Sequence, residues 1–345
     1  MIKTFLITGG AGFIGSNFLH YIFTTYPHSK IIVLDLLTYA GNVDNFPVRP
    51  NNNSGRFEFW YGSVTNSALV EELVERADIV VHFAAETHVT RSIYDNRNFF
   101  ETDVIGTQTI ANAVLKNKKS VERFIHISTS EVYGTAENCA FMDEKHPLNP
   151  ASPYAAAKVG ADRLVYSYVN TYDIPATIIR PFNNYGPRQH LEKAIPRFIT
   201  SLLLGEKLTV HGTGEASRDW IYVEDTCKGI DAILSAPIDK VKGEVFNLGT
   251  SKTISIRDVA LRVAGLFGFG EEKIIYNEDR PGQVDCHLAD ISKIERMLGW
   301  TPKVTFEEGL HETIAWYKNN KHMWEKQIWM RQVPIILKDG KKVIH

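Results

Sequence analysis

The chain has 345 residues, about twice the length of a typical ~150-residue domain. With 44% of residues hydrophobic, 23% charged and a formal net charge of −2, it is neither a disordered chain nor a bare binding motif, and it has no cationic excess for a nucleic-acid backbone. Three cysteines, Cys139, Cys227 and Cys286, stand in no CxxC or metal-ligand spacing, so no disulfide framework and no metal centre are expected, and a reducing compartment, the cytoplasm, is favoured.

The opening MIKTFLITGG places a short apolar run directly before glycines, which reads as a buried strand and not as a signal peptide. No stretch approaches the ~18 consecutive apolar residues that a membrane span requires. Further along, Phe5–Thr8, Ile31–Leu34, Asp78–Ala84, Phe124–Ser128 and Ala176–Arg180 read as strands. Helical periodicity near 14–25, 66–76, 103–117 and 154–172 alternates with them. This alternation calls for an α/β fold, a Rossmann-type doubly wound parallel sheet, with ligands beyond the carboxyl ends of the strands. After about residue 181 Gly/Pro punctuation sets in around helices near 192–204, 255–267 and 306–319. The expected division is a dinucleotide-binding domain over 1–180, a smaller C-terminal substrate-binding lobe over 181–330 interleaved with it, and a patternless tail, 331–345.

Between the first strand and first helix lies Thr8-Gly9-Gly10-Ala11-Gly12-Phe13-Ile14-Gly15. Gly9, Gly12 and Gly15 let a tight turn bring bare N–H groups against a pyrophosphate at a helix N-terminus. Asp35 ends the second strand, where a carboxylate accepts from an adenine ribose and repels a 2′-phosphate, favouring NAD over NADP. Tyr154 and Lys158, four apart, share one helical face, and an ammonium there can lower a phenol's pKa enough for it to take an alcohol proton.

These features, with ITGGAGFIGSN, LDLLTYAGN, HFAAETHVTRSI, ISTSEVYG, SPYAAAK, RPFNNYGPRQHLEKAIP, SRDWIYVEDTC, FNLGTS and EDRPGQVD in order, resemble the extended short-chain dehydrogenase/reductases. Within them the chain is most similar to the nucleotide-sugar 4,6-dehydratases that act on dTDP-glucose, over roughly residues 3–320. The resemblance implies NAD as cofactor, a nucleoside-diphosphate sugar as substrate and a homodimer built on the helices near 103–117 and 154–172. It implies that Thr129 hydrogen-bonds the sugar 4-hydroxyl, Tyr154 removes its proton, and Lys158 holds the nicotinamide ribose. Phe13, Ile14, Thr38, Ala84 and Ala85 are implied at the dinucleotide, and Thr87, Asn183, Lys193, Arg218, Asn247 and Arg280 at the substrate.

Glu131 separates the subclasses, because a carboxylate beside C5 can remove the proton that a C4 ketone acidifies, whereas the 4-epimerases usually carry an apolar residue there. The departure is Ser130, where the resembling enzymes have an aspartic acid that protonates the leaving 6-hydroxyl. Ser130 is kept as a catalytic candidate through a relay. Thr-Ser-Glu also occurs in UDP-glucuronate decarboxylases, which need a cation for a second carboxylate, and Arg188 is the candidate for that role. The reading is an NDP-hexose 4,6-dehydratase. A decarboxylase, a 4-epimerase and a non-catalytic nucleotide-sugar sensor are the alternatives. Ser63-Val64 and Asp103 are further departures, at positions where the family has an adenine-contacting acid and an asparagine.

Overall fold

The computed structural model describes residues 3–50, 55–278, 284–331, 333–336, 340 and 342–344. Six strands run in chain order through the first half: β1 (Thr4–Thr8), β2 (Lys30–Asp35), β3 (Phe57–Tyr61), β4 (Ile79–His82), β5 (Arg123–Ile127) and β6 (Ala176–Pro181). Beyond them come β7 (Asn183–Tyr185), β8 (Leu208–His211), β9 (Ser217–Tyr222), β10 (Val245–Leu248), β11 (Thr253–Ser255), β12 (Ile274–Asn277) and β13 (Cys286–His287). The main sheet has seven parallel strands in the order β10-β6-β5-β4-β1-β2-β3, so strand order reverses direction between β1 and β4, where an open α/β sheet leaves its crevice.

Alternation along the strands builds a core on each face, as expected of a parallel sheet covered on both sides. Phe5 and Ile7 face one core with Phe18, Val33, Ile125 and Phe246, while Leu6 faces the other with Ile32, Val80, Val114 and Phe124. Register levels the carboxyl ends: Thr8 lies beside His82, His82 beside His126, and Ile127 beside Ile179. The residues that follow each strand therefore emerge along a single edge.

The smaller lobe is built on β11, β9 and β13, with β7 parallel to β9, and on the parallel pair β8–β12. Its core gathers Tyr185, Phe198, Trp220, Val259, Leu310 and Tyr317. Only Phe182 separates β6 from β7, so the carboxyl edge of the sheet runs straight into this lobe.

The five expected strands are present within about two residues at each end, and so are six of the seven expected helices; the one expected near 103–117 is α-helical over Thr107–Lys116 and follows a π-helical stretch, Phe100–Gly106. Strands β3 and β10 add to the sheet. β10 returns to it from beyond residue 181 and pairs with β6, after a helix, Val223–Ser235, that the sequence reading did not mark. The tail departs from expectation too: Pro334–Ile336 and Lys342–Ile344 form an antiparallel pair, and the first of them lies against the helix Val89–Tyr94. The cysteines correct a further expectation, because Cys139 and Cys286, 147 residues apart, are joined in a disulfide with Cα atoms 5.3 Å from each other. Sequence spacing is silent about pairs that the fold brings together. Among the described residues no helix is long and apolar enough to cross a membrane, and no group of side chains is arranged to hold a metal.

Candidate active site

A cavity of ≈ 390 Å³ runs along the carboxyl edge from the glycine turn to the smaller lobe. At one end the turn after β1 bends so tightly that a Cβ on Gly15 would run into the Gly9 carbonyl oxygen; only glycine permits that approach. The N-terminus of the helix Phe13–Thr25 opens onto this turn, a position suited to a pyrophosphate. Asp35 accepts from the Ala11 N–H at 2.9 Å and the Leu37 N–H at 2.8 Å, so it braces the turn while also lining the cavity. Burial raises its carboxyl and these two hydrogen bonds oppose the rise. Gly9, Gly12, Phe13, Ile14, Thr38, Ala84 and Ala85 line the same end, and Gly62, Ser63 and Val64 close it. This glycine turn, with a carboxylate at the tip of β2, fits a dinucleotide such as NAD.

The middle of the cavity is lined by Thr129, Glu131, Tyr154 and Lys158. Ser152 caps the helix Pro153–Tyr172 by accepting from the Ala155 N–H at 3.1 Å, with Pro153 in the first turn, which fixes where Tyr154 and Lys158 emerge. Lys158 Nζ donates to the Ile127 carbonyl at 2.8 Å. Burial lowers its pKa, while Asp103 and Asp162 act in the opposite direction. Burial, Asp103 and Glu131 push the Tyr154 phenol well up, and a hydrogen bond with Thr129 opposes them. Lys158 is not among the groups that act on this phenol, so the lowering that the four-residue spacing led one to expect is not found and burial decides.

Thr129 opens a 3₁₀ turn, Ser130–Tyr133, and its Oγ1 accepts from the Glu131 N–H at 3.2 Å. That bond turns the Glu131 side chain into the cavity. Ser130 does not line the cavity; its hydroxyl lies 3.4 Å from Nδ1 of His287, behind Glu131.

Toward the smaller lobe stand Thr87, Asn183, Lys193 and Arg218. Lys193 Nζ donates to the Thr87 carbonyl at 2.8 Å. Asn183 Oδ1 is buried with no hydrogen-bond partner among the described residues, which leaves an acceptor facing the cavity. Asn247 departs from expectation. It is fully buried off the cavity, its Oδ1 accepting from Tyr133 at 2.7 Å and its Nδ2 donating to the Met142 carbonyl at 2.9 Å, so its amide is already engaged in holding the turn below Glu131. Arg280 lies outside the described residues. Arg188 also turns away, donating to Asn17 Oδ1 at 2.6 Å, which removes the cation proposed for a second sugar carboxylate.

Three features at the site were given no role from the sequence, in which Asp103 stands only as a departure from the family's asparagine. Asp103 is 1% exposed on a π-helical stretch, Phe100–Gly106, and accepts from the Glu86 N–H at 2.8 Å; such bulges recur at functional sites. Glu192, on the cavity wall, accepts from Tyr39 at 2.9 Å and Arg91 at 3.0 Å. Burial would raise its carboxyl, yet His88, Lys193, His190 and Arg91 hold it down. The third is His287, fully buried, with its Nδ1 4.0 Å from Glu131 Oε1.

Residues 6–313 match the model of the GDP-mannose 4,6-dehydratase family. The chain belongs to this family. Among relatives in it, the low-salt glycan biosynthesis protein Agl12 of Haloferax volcanii is 43% identical over 90% of this chain and 97% of its own length. A dTDP-glucose 4,6-dehydratase of Actinoplanes is 39% identical over 92% and 99%. The crystal structure of DesIV, the dTDP-glucose 4,6-dehydratase of Streptomyces venezuelae with NAD and TYD bound, is 39% identical, covers 94% of this chain and 99% of its own, and superposes with a TM-score of 0.88.

Proposed function

We propose that this protein is an NAD-dependent NDP-hexose 4,6-dehydratase, converting a dTDP- or UDP-glucose-type substrate to its 4-keto-6-deoxy sugar. The observation that carries the reading is Glu131: a carboxylate shares the cavity with Thr129, Tyr154 and Lys158, at the far end of a glycine turn that fits NAD. A pure sensor has no use for this set, and an epimerase has none for the carboxylate.

Oxidation at C4 and reduction at C6 are the chemistry that bound NAD supplies. Tyr154, paired with Thr129 and kept as the phenol by burial, receives the proton of the 4-hydroxyl once it is a phenolate, which the positive charge of bound NAD would favour. Lys158, its ammonium fixed on the Ile127 carbonyl, holds the nicotinamide ribose. Once C4 is a ketone the C5 proton is acidic, and Glu131 removes it as water leaves from C6. Arg218 and Lys193 hold the diphosphate, joined by Asn183 and Thr87 at the sugar end. The exposed Phe100, Ile105 and Tyr166 support a homodimer through the helices that carry them. NAD and a nucleotide sugar as partners support a cytoplasmic site of action.

Mass spectrometry of products from a panel of nucleotide sugars tests the reading. A product lighter by one water, from dTDP- or UDP-glucose, is expected. A pentose formed with carbon dioxide from UDP-glucuronate, and no dehydration of either glucose nucleotide, would replace it with a decarboxylase.

A further inference from the structure

Two walls enclose the sugar end of the cavity. One is Thr87, His88 and Val89, which lead into the helix Val89–Tyr94, and the other is Glu192, Lys193 and Ala194, which lead into the helix Ala194–Leu203. Two ties join them from inside: Arg91 Nε donates to Glu192 Oε2 at 3.0 Å, and Lys193 Nζ to the Thr87 carbonyl at 2.8 Å. The first wall has little of its own to hold it. Its helix is six residues long, far short of the length at which a helix stands on its own hydrogen bonds. Yet it carries Arg91, and its Ser92 Oγ accepts from the Tyr154 N–H at 3.1 Å. A drift of this helix would disturb both a tie across the cavity and the backbone of Tyr154.

The support comes from the far end of the chain. Leu310, Tyr317 and Trp324 seat that end in the core of the smaller lobe, with Ile328 packed against it. Arg331 then fastens to the helix of the second wall and to Glu206 just beyond it. Its Nη1 donates to Ser201 Oγ at 3.3 Å, its Nη2 donates to Glu206 Oε1 at 3.0 Å, and its carbonyl accepts from Arg197 at 3.4 Å. Val333 is 4% exposed, and Pro334–Ile336, paired with Lys342–Ile344, lies against the helix Val89–Tyr94 of the first wall. Three residues of fully extended chain reach at most ~11 Å, so the chain steps from one wall to the other within that span.

We propose that Arg331 and the strand Pro334–Ile336 form a strap that fastens the two walls of the sugar end to each other from outside and so positions them for the nucleotide sugar, a proposal that rests on the dehydratase reading. The strap lies beyond the stretch that resembles the dehydratases, so the resemblance gives it no part. Arg331 is a positioning residue: it lines no part of the cavity and acts through the walls it joins. With the strap in place the walls are held apart by a fixed distance before the sugar arrives, and the substrate does not have to order them on binding. The dinucleotide end is built on the turns after β1 and β2, away from the strap, so the strap bears on the sugar nucleotide and not on NAD.

Two variants test it against the wild type, each measured for NAD affinity and for kcat and KM on whichever of dTDP- and UDP-glucose the wild type dehydrates. A chain ended after residue 332 loses the strand and keeps the anchor, while Arg331→Gln keeps the strand and loosens the anchor. KM is expected to rise about tenfold in the shortened chain and about threefold in Arg331→Gln. NAD affinity stays within about twofold in both, and kcat falls by less than KM rises. A loss of folded protein lowers kcat and leaves KM where it was, so it cannot imitate this result. A KM within about twofold of wild type in the shortened chain overturns the proposal. Should the shortened chain fail to bind NAD, an unchanged KM in Arg331→Gln overturns it instead. Wild type that dehydrates neither glucose nucleotide overturns the dehydratase reading.

Discussion

Glu131 reaches the cavity because Thr129 caps the turn that carries it, while Tyr133, two residues on, is anchored on Asn247. The amide Glu131→Gln keeps the shape and removes the base, so kcat is expected to fall by about 10²–10⁴-fold with KM nearly unchanged. Substrate recovered from deuterated water is expected to carry no deuterium at C5, because C–H cleavage is the step lost. Full activity in this variant would remove Glu131 from the chemistry. At this scale the candidate site was largely legible. Thr129, Glu131, Tyr154 and Lys158 sit in short motifs whose residue types already state a chemistry. Asn247 was misread because its partners, Tyr133 and Met142, are about a hundred residues away, and His287 was invisible because a single histidine carries no spacing.

The helix Pro153–Tyr172 is held to the sheet by a buried ion pair that does no chemistry. Asp162, one turn beyond Lys158, accepts two bonds of 2.9 Å from Arg180 on β6, and the side chains are 0% and 1% exposed. Burial alone would raise the Asp162 carboxyl, but Arg180 and Arg163 hold it down to about 2. A carboxyl depressed on folding stabilises above its unfolded pKa, near 4, and loses that contribution as pH falls through the folded value. The difference corresponds to roughly 2 kcal/mol. Denaturant unfolding at descending pH should show this loss in the wild type between about pH 4 and 2, and Asp162→Asn should flatten it. An unchanged pH slope in that variant would place the acid sensitivity elsewhere. Removing the partner with Arg180→Met strands a buried charge and is expected to cost about 3–5 kcal/mol. Elements of this kind were legible where periodicity was long. β3 escaped because its aromatic run, Phe57–Tyr61, follows a polar loop, and β10 because four residues amid glycines carry too little pattern to distinguish them from loop.

For the whole molecule, the parallel sheet and its crevice follow from βαβ alternation and the right-handedness of such crossovers. How the later half interleaves with it does not, because return strands and long-range ties are set by packing. The Cys139–Cys286 bond is the clearest case. It joins the loop after the Glu131 turn to β13, closing 147 residues of chain. A loop of that length restricts the unfolded ensemble by about 5 kcal/mol on the chain-entropy model, and native disulfides measured directly contribute about 2–5 kcal/mol. Cys139→Ser is therefore expected to lower unfolding free energy by about 2–4 kcal/mol, and a reductant should bring the wild type to the same value while leaving the variant unmoved. Because Cys286 adjoins His287, the same treatment is expected to lower kcat more than it raises KM, the mark of a loosened elimination site and not of lost substrate affinity. If the reductant moves neither stability nor kcat of the wild type, β13 is held by its pairing with β9 alone and the cysteines play no part in positioning His287.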